Sequence, residues 1–167
     1  INRGNYDIHE KDAMQFLYCN QFGRLLKEHF GDDRITVLPK GVAGQRLPEA
    51  LKRLDHDVLS IAGPDDLVII EFGANDMGWG GDTPQQWRDH LRTMIDRVKT
   101  KTDQILVMSP TTGDKVPEKA VQITAMLRQL VKEEHIAGAD ITRLCMYRGP
   151  AFAWSLLAND YHPDLMG

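Results

Sequence analysis

Leu67-Val68-Ile69-Ile70-Glu71-Phe72 runs straight into Gly73-Ala74-Asn75-Asp76. A continuous apolar run bounded by turn residues fits a strand buried on both faces, as in a parallel sheet; a half-exposed strand would alternate. Gly63-Pro64-Asp65-Asp66 supplies turn chemistry before it, and Gly73 lets the chain turn sharply after it without Cβ strain. Ile105 to Met108 forms a second such run, and Ile136 to Ile141 a third, short one. Helical patterns lie between them. Thr83 is placed to cap, and Pro84 to open, a helix whose inner face is Trp87, Leu91, Met94, Ile95 and Val98. Another starts near residue 117, with Ala120, Ile123, Leu127, Leu130 and Val131 inward.

Upstream, residues 10–30 read as a helix, with Met14, Tyr18, Phe22, Leu25 and Leu26 along one stripe and Gly31 ending it. Ile35 to Leu38 reads as a short strand closed by Pro39, and Gly41-Val42-Ala43-Gly44 as the loop at its carboxyl end. Residues 47–60 read as a helix opened by Leu47-Pro48. Strands alternating with helices imply a parallel sheet with helices on both faces. Ligands of such sheets bind outside the carboxyl ends of the strands, which is where Gly41, Asn75 and Ser109 all fall.

A chain of 167 residues suits one domain with a real core. A net charge of −4 gives no basic footprint for nucleic acid and no polybasic membrane patch. No apolar run approaches a membrane span, and no signal peptide is visible. The expectation is a soluble protein, with secreted and periplasmic locations left open by a chain that begins at Ile1. Cys19 and Cys145 are too few for a disulfide framework, lack metal-site spacing, and read as buried thiols. No metal or organic cofactor is implied.

Asn75 places a side-chain amide at a strand's carboxyl end, where it either donates into the crevice or merely forms a turn with Asp76. His162, before Pro163 and near Asp160, is either a catalytic base or a surface histidine. Gly41 and Gly44 either present a backbone N–H to a substrate oxygen or shape a turn. Taken together these stretches resemble the SGNH, or GDSL-type, hydrolase superfamily. Gly73-Ala74-Asn75-Asp76 matches its third block, Lys40 to Gly44 its second, and Asn159-Asp160-Tyr161-His162-Pro163 its fifth. Pro39 stands where the second block usually has Asn. Asn159 stands three residues before His162, where the family usually has Asp, so the acid is either Asp160 or absent from a Ser–His dyad.

The resemblance implies a flavodoxin-like three-layer α/β/α sandwich and a serine ester hydrolase. His162 would be the base, and the Gly41 N–H and Asn75 amide the oxyanion donors. Asp160 would be the acid unless the pair is a Ser–His dyad, Trp79 either offers a stacking face at the site rim or anchors its loop on the core, and Asp76 would lie against the substrate. The implied substrate is a small acyl ester, with O-acetyl groups on carbohydrate as the leading candidate. A lysophospholipase or thioesterase on the same fold, and a non-catalytic binding domain, are the alternatives. The family's first block, Gly-Asp-Ser on the first strand, is not in the sequence. Ser60, Ser109 and Ser155 all lack that context. The expectation is therefore one domain over 1–167, truncated at both ends, whose missing strand lies between residues 35–38 and 67–72. That strand would come from residues outside the sequence or from another chain.

Overall fold

The computed structural model describes residues 18–78, 81–110 and 118–148. Three parallel strands form its sheet in the order β1 (Val68–Glu71), β2 (Ile105–Met108) and β3 (Ala137–Ala139). Val68 pairs with Ile105 and Glu71 with Met108; Leu106 pairs with Ala137 and Met108 with Ala139. All carboxyl ends therefore lie along one edge. Parallel neighbours need long crossovers, and α4 (Pro84–Lys99) and α5 (Glu118–Glu134) are in those connections. The two helices lie side by side, with Arg88 and Arg92 of α4 on Glu133 of α5, and Lys99 on Glu134.

Helix α4 begins as its sequence dictates. Thr83 Oγ1 accepts from the Gln86 N–H at 3.2 Å, and Gln86 Oε1 accepts from the Thr83 N–H at 2.8 Å. This reciprocal capping box satisfies two donors that the first turn leaves without helical partners. Trp87, Leu91, Met94, Ile95 and Val98 are all buried, as the periodicity predicts. Each apolar side chain so buried contributes about 1.5–3 kcal/mol. Opposite them stand Ile123, Leu127 and Leu130 of α5, with Ile70, Ile105 and Val107 of the sheet in the same core.

Several expectations are corrected or sharpened. Residues 35–38 are not a strand: among the described residues they pair with no neighbour, and an extended segment becomes a strand only when another supplies its ladder. Helix α1 covers Tyr18–Phe30, residues 10–17 of the expected helix lying outside the described residues; Leu25, expected inward, is 53% exposed. The helix instead meets the next segment through Gly23, where a Cβ would stand 3.1 Å from Val37 Cγ2. The helix at 47–60 is α2 (Leu47–Leu54), running into a π-helical turn over Asp55–Leu59. The last strand stops at Ala139 because Asp140 caps a further helix, α6 (Ile141–Arg148), its Oδ1 accepting the Arg143 N–H at 2.8 Å. Cys19 is partly exposed rather than buried; the side chain of Cys145 lies outside the described set.

Gly73 does what its position after β1 requires. Its φ is +133°, and a Cβ there would stand 3.0 Å from Pro110 Cγ and 3.2 Å from Pro110 Cδ. Gly73→Ala therefore incurs both backbone strain and overpacking against a rigid ring, at least about 2 kcal/mol together. The expected result is a melting temperature lower by about 4–8 °C. An unchanged melting curve would show that the turn accommodates a side chain.

Candidate active site

Asn75 and Asp76 lie in α3 (Ala74–Gly78), the short helix that follows β1 and Gly73 at the carboxyl edge of the sheet. The Gly41–Gly44 loop meets this edge at its end, where Gln45 accepts from Asn75. Gly44 has φ +77°, and the Gln45 N–H donates to the Val42 carbonyl at 3.3 Å, closing a turn that glycine adopts without strain. Gly41 precedes this turn and is exposed.

The two segments are joined by a side-chain hydrogen bond. Asn75 Nδ2 donates to the Gln45 carbonyl at 3.2 Å. A carbonyl partner fixes the amide's orientation, because only its NH₂ end can donate. That group carries two N–H bonds, and among the described residues only one of them is seen to be taken. Gln45 is held in turn by Arg53, whose Nε donates to Gln45 Oε1 at 2.7 Å.

Asp76 has no exposed surface. Its Oδ1 accepts the Leu47 N–H at 3.0 Å, and its Oδ2 has no partner among the described residues. Lys119, at the start of α5, donates to the Asp76 backbone carbonyl at 2.9 Å. Burial pushes the Asp76 carboxyl above its ordinary range, and nearby Asp82 adds to the rise, while the Leu47 N–H opposes it. A raised folded-state pKa favours the fold while the group is protonated, and that advantage is lost as pH climbs through the folded value. Asp76→Asn removes this loss. Its stability relative to the unsubstituted protein should therefore rise with pH from about 4 upward, measured by denaturant unfolding across pH. A pH-independent difference would contradict the raised value.

Ser109 directly follows β2 at its carboxyl end but is fully buried. Its Oγ accepts the Thr142 N–H at 2.9 Å, and Thr142 Oγ1 donates to the Pro110 carbonyl at 2.7 Å. The hydroxyl thus stitches β2 to the first turn of α6. Ser60 is exposed and donates to the His56 carbonyl at 2.7 Å. His162, Asp160, Asn159, Trp79 and Ser155 lie outside the described residues.

The sequence alone gives no sign of the links that join this site. The Gln45 carbonyl and the Leu47 N–H are backbone groups, which every residue but proline carries in full. Asp140, an N-cap residue type directly before an apolar-periodic stretch, is the signal in the sequence for α6.

A family model described as GDSL-like lipase/acylhydrolase matches residues 9–167. Among solved structures, the acetylxylan esterase Axe2 from Geobacillus stearothermophilus aligns at 21% identity with a TM-score of 0.71, over 89% of this chain and 74% of that one. The acetyl xylan esterase AlAXEase aligns at 17% identity with a TM-score of 0.74, over 95% of this chain and 90% of its own. At these identities the likeness shows a shared fold. No curated protein matches the sequence. Among the described residues, no helix is long and apolar enough to cross a membrane.

Proposed function

The chain belongs to the GDSL-like lipase/acylhydrolase family, and from that membership we propose that it is a serine ester hydrolase acting on small acyl esters, with O-acetyl groups on carbohydrate as its substrates. The observation that carries this reading is the 3.2 Å bond from Asn75 to the Gln45 carbonyl, which brings the third-block amide and the second-block loop to one place. A side-chain amide tied to the end of the second-block loop, at the carboxyl edge of a parallel sheet, suits an oxyanion that develops only in the transition state. The fold relatives described as acetylxylan esterases favour the acetyl group and the carbohydrate over a lipid acyl chain.

In this mechanism a serine Oγ attacks the ester carbonyl while His162 takes its proton. The carbonyl oxygen becomes an oxyanion held by the Gly41 N–H and the free Asn75 N–H. His162 then protonates the leaving alcohol, and water repeats the sequence to release the acid. Asp160 orients the imidazole, and Trp79 offers a stacking face to a sugar. The attacking serine belongs to a strand along the outer edge of β1, supplied from outside this sequence or by another chain. In support, among the described residues β1 pairs only with β2, and the strand-like segment 35–38 pairs with no neighbour.

The test is acyl-chain and alcohol preference in the full-length protein. Acetyl release from acetylated xylooligosaccharides should exceed hydrolysis of a long-chain acyl ester by at least about tenfold in kcat/KM, a difference of roughly 1.4 kcal/mol in transition-state binding. A preference for long acyl chains or thioesters would move the chain to another hydrolase class. Carbohydrate binding without turnover, and no labelling by a fluorophosphonate, would make it a binding domain.

A further inference from the structure

Asn75 and Asp76 are consecutive, and both reach back to one short stretch, thirty and twenty-nine residues earlier. Asn75 holds the Gln45 carbonyl and Asp76 holds the Leu47 N–H, so the pair brackets Arg46, the N-cap of α2. Leu47 is the first helical residue, and its N–H has no carbonyl to meet within the helix. Pro48 follows and has no N–H at all. Glu49 Oε2 accepts the Arg46 N–H at 3.0 Å, which leaves Asp76 as the acceptor for Leu47. Leu47 itself has no exposed surface, so this N–H is out of reach of water. The Asp76 backbone is anchored separately by Lys119. Its carboxylate is sealed from solvent, so it cannot meet a ligand without rearrangement, yet it sits one residue from the amide assigned to the oxyanion.

We propose that Asp76 is a positioning residue: its carboxylate clamps Leu47, and through it the 41–46 loop, against Asn75, so that the Gly41 N–H and the Asn75 amide keep a fixed spacing. Its catalytic consequence rests on the ester-hydrolase reading above; the clamp itself is measurable without turnover. Without Asp76 the main chain of the loop keeps the Asn75 bond to Gln45 and the exposed turn at residues 42–45, beside the side-chain links Arg53–Gln45 and Arg46–Glu49, but the Leu47 N–H loses its acceptor. A displacement of about 1 Å at a catalytic donor is enough to lose roughly 100-fold in rate.

The experiment pairs amide hydrogen exchange in the full-length protein with kinetics of Asp76→Ala and Asp76→Asn. In the unsubstituted protein the Leu47 amide should exchange at least about 100-fold more slowly than a first-turn amide without a partner. Asp76→Ala should free that amide, shift the Asn75 side-chain NH₂ resonances, and lower kcat by about 10–100-fold with KM within about threefold. Asp76→Asn keeps a carbonyl acceptor of the same reach and should recover both the protection and most of kcat. An unprotected Leu47 amide in the unsubstituted protein overturns the clamp, whatever the variants do. So does an Asp76→Ala variant that keeps Leu47 protected and the Asn75 signals in place, or an asparagine variant as impaired as the alanine one. If Asp76→Ala does not fold, the exchange of Leu47 in the unsubstituted and Asp76→Asn proteins decides the matter. Absence of any ester turnover, with Leu47 protected, would sink the hydrolase reading and leave the clamp standing.

Discussion

Replacing His162 by alanine in the full-length protein should lower kcat for a short-chain aryl ester by about 10,000-fold or more, because no other group then removes the serine's proton as the carbonyl is attacked. Binding of the ester should change little, since the imidazole acts on the proton rather than on the substrate's bulk. Asp160→Asn divides the accounts of how His162 is held. If Asp160 orients the imidazole and stabilises its charged form, the amide variant should lose about 10,000-fold, as loss of a triad carboxylate does elsewhere. If kcat falls less than about tenfold, the base works as a dyad, or its acid lies elsewhere, and Asn159 in the usual acid position stops being an anomaly. Near-normal turnover in His162→Ala would remove the histidine from the mechanism altogether.

Asn75→Ala should lower kcat by about 100–1,000-fold with KM within about threefold, because its free N–H gains strength only as the oxyanion forms. The structure adds a second consequence. The same side chain donates to the Gln45 carbonyl, so the substitution also deletes a tether worth about 0.5–1.5 kcal/mol of stability. The rate effect corresponds to about 2.7–4 kcal/mol, so it outweighs the tether loss, and the two are separable by measuring unfolding beside turnover. Asn75→Asp sharpens the distinction. It keeps the size of the side chain but removes both donors and sets a carboxylate against a carbonyl oxygen. It should be at least as inactive as the alanine variant and less stable than it. Full activity in either variant would take the amide out of the oxyanion site and leave it a structural tie.

Gly73→Ala acts at the same turn by other means, which makes it a useful contrast. Its effect should appear first in the melting temperature, because a Cβ there meets Pro110 rather than the substrate. The turn, the amide and the buried carboxylate occupy four consecutive residues, 73–76. Each therefore has its own readout: stability for Gly73, kcat for Asn75, and Leu47 exchange for Asp76.

The amino-acid sequence by itself determined the parallel α/β plan, because that plan rests on local signals. The apolar run ending at Phe72 reads as a strand, and β1 forms within it, although only Ile70 is buried and Leu67 is half exposed. Thr83-Pro84 and Gln86 start α4, and the spacing of Trp87, Leu91, Met94, Ile95 and Val98 aims one face inward. A glycine after β1 fits a backbone angle that other residues rarely adopt. The third-block motif was legible for the same reason: its four residues are contiguous. Tertiary structure alone decided what depends on partners distant in the chain. Residues 35–38 have a strand's composition, but strand formation needs a neighbour's donors and acceptors. Ser109 has the position of a ligand-side hydroxyl, yet the arrival of α6 makes it an acceptor for the Thr142 N–H. Asn75 and Asp76 look alike as polar residues in a turn, and only the fold gives one a half-exposed amide and the other a sealed carboxylate. Their partners at 45 and 47 are main-chain groups, identical in kind at almost every position, so no side-chain pattern could point to them.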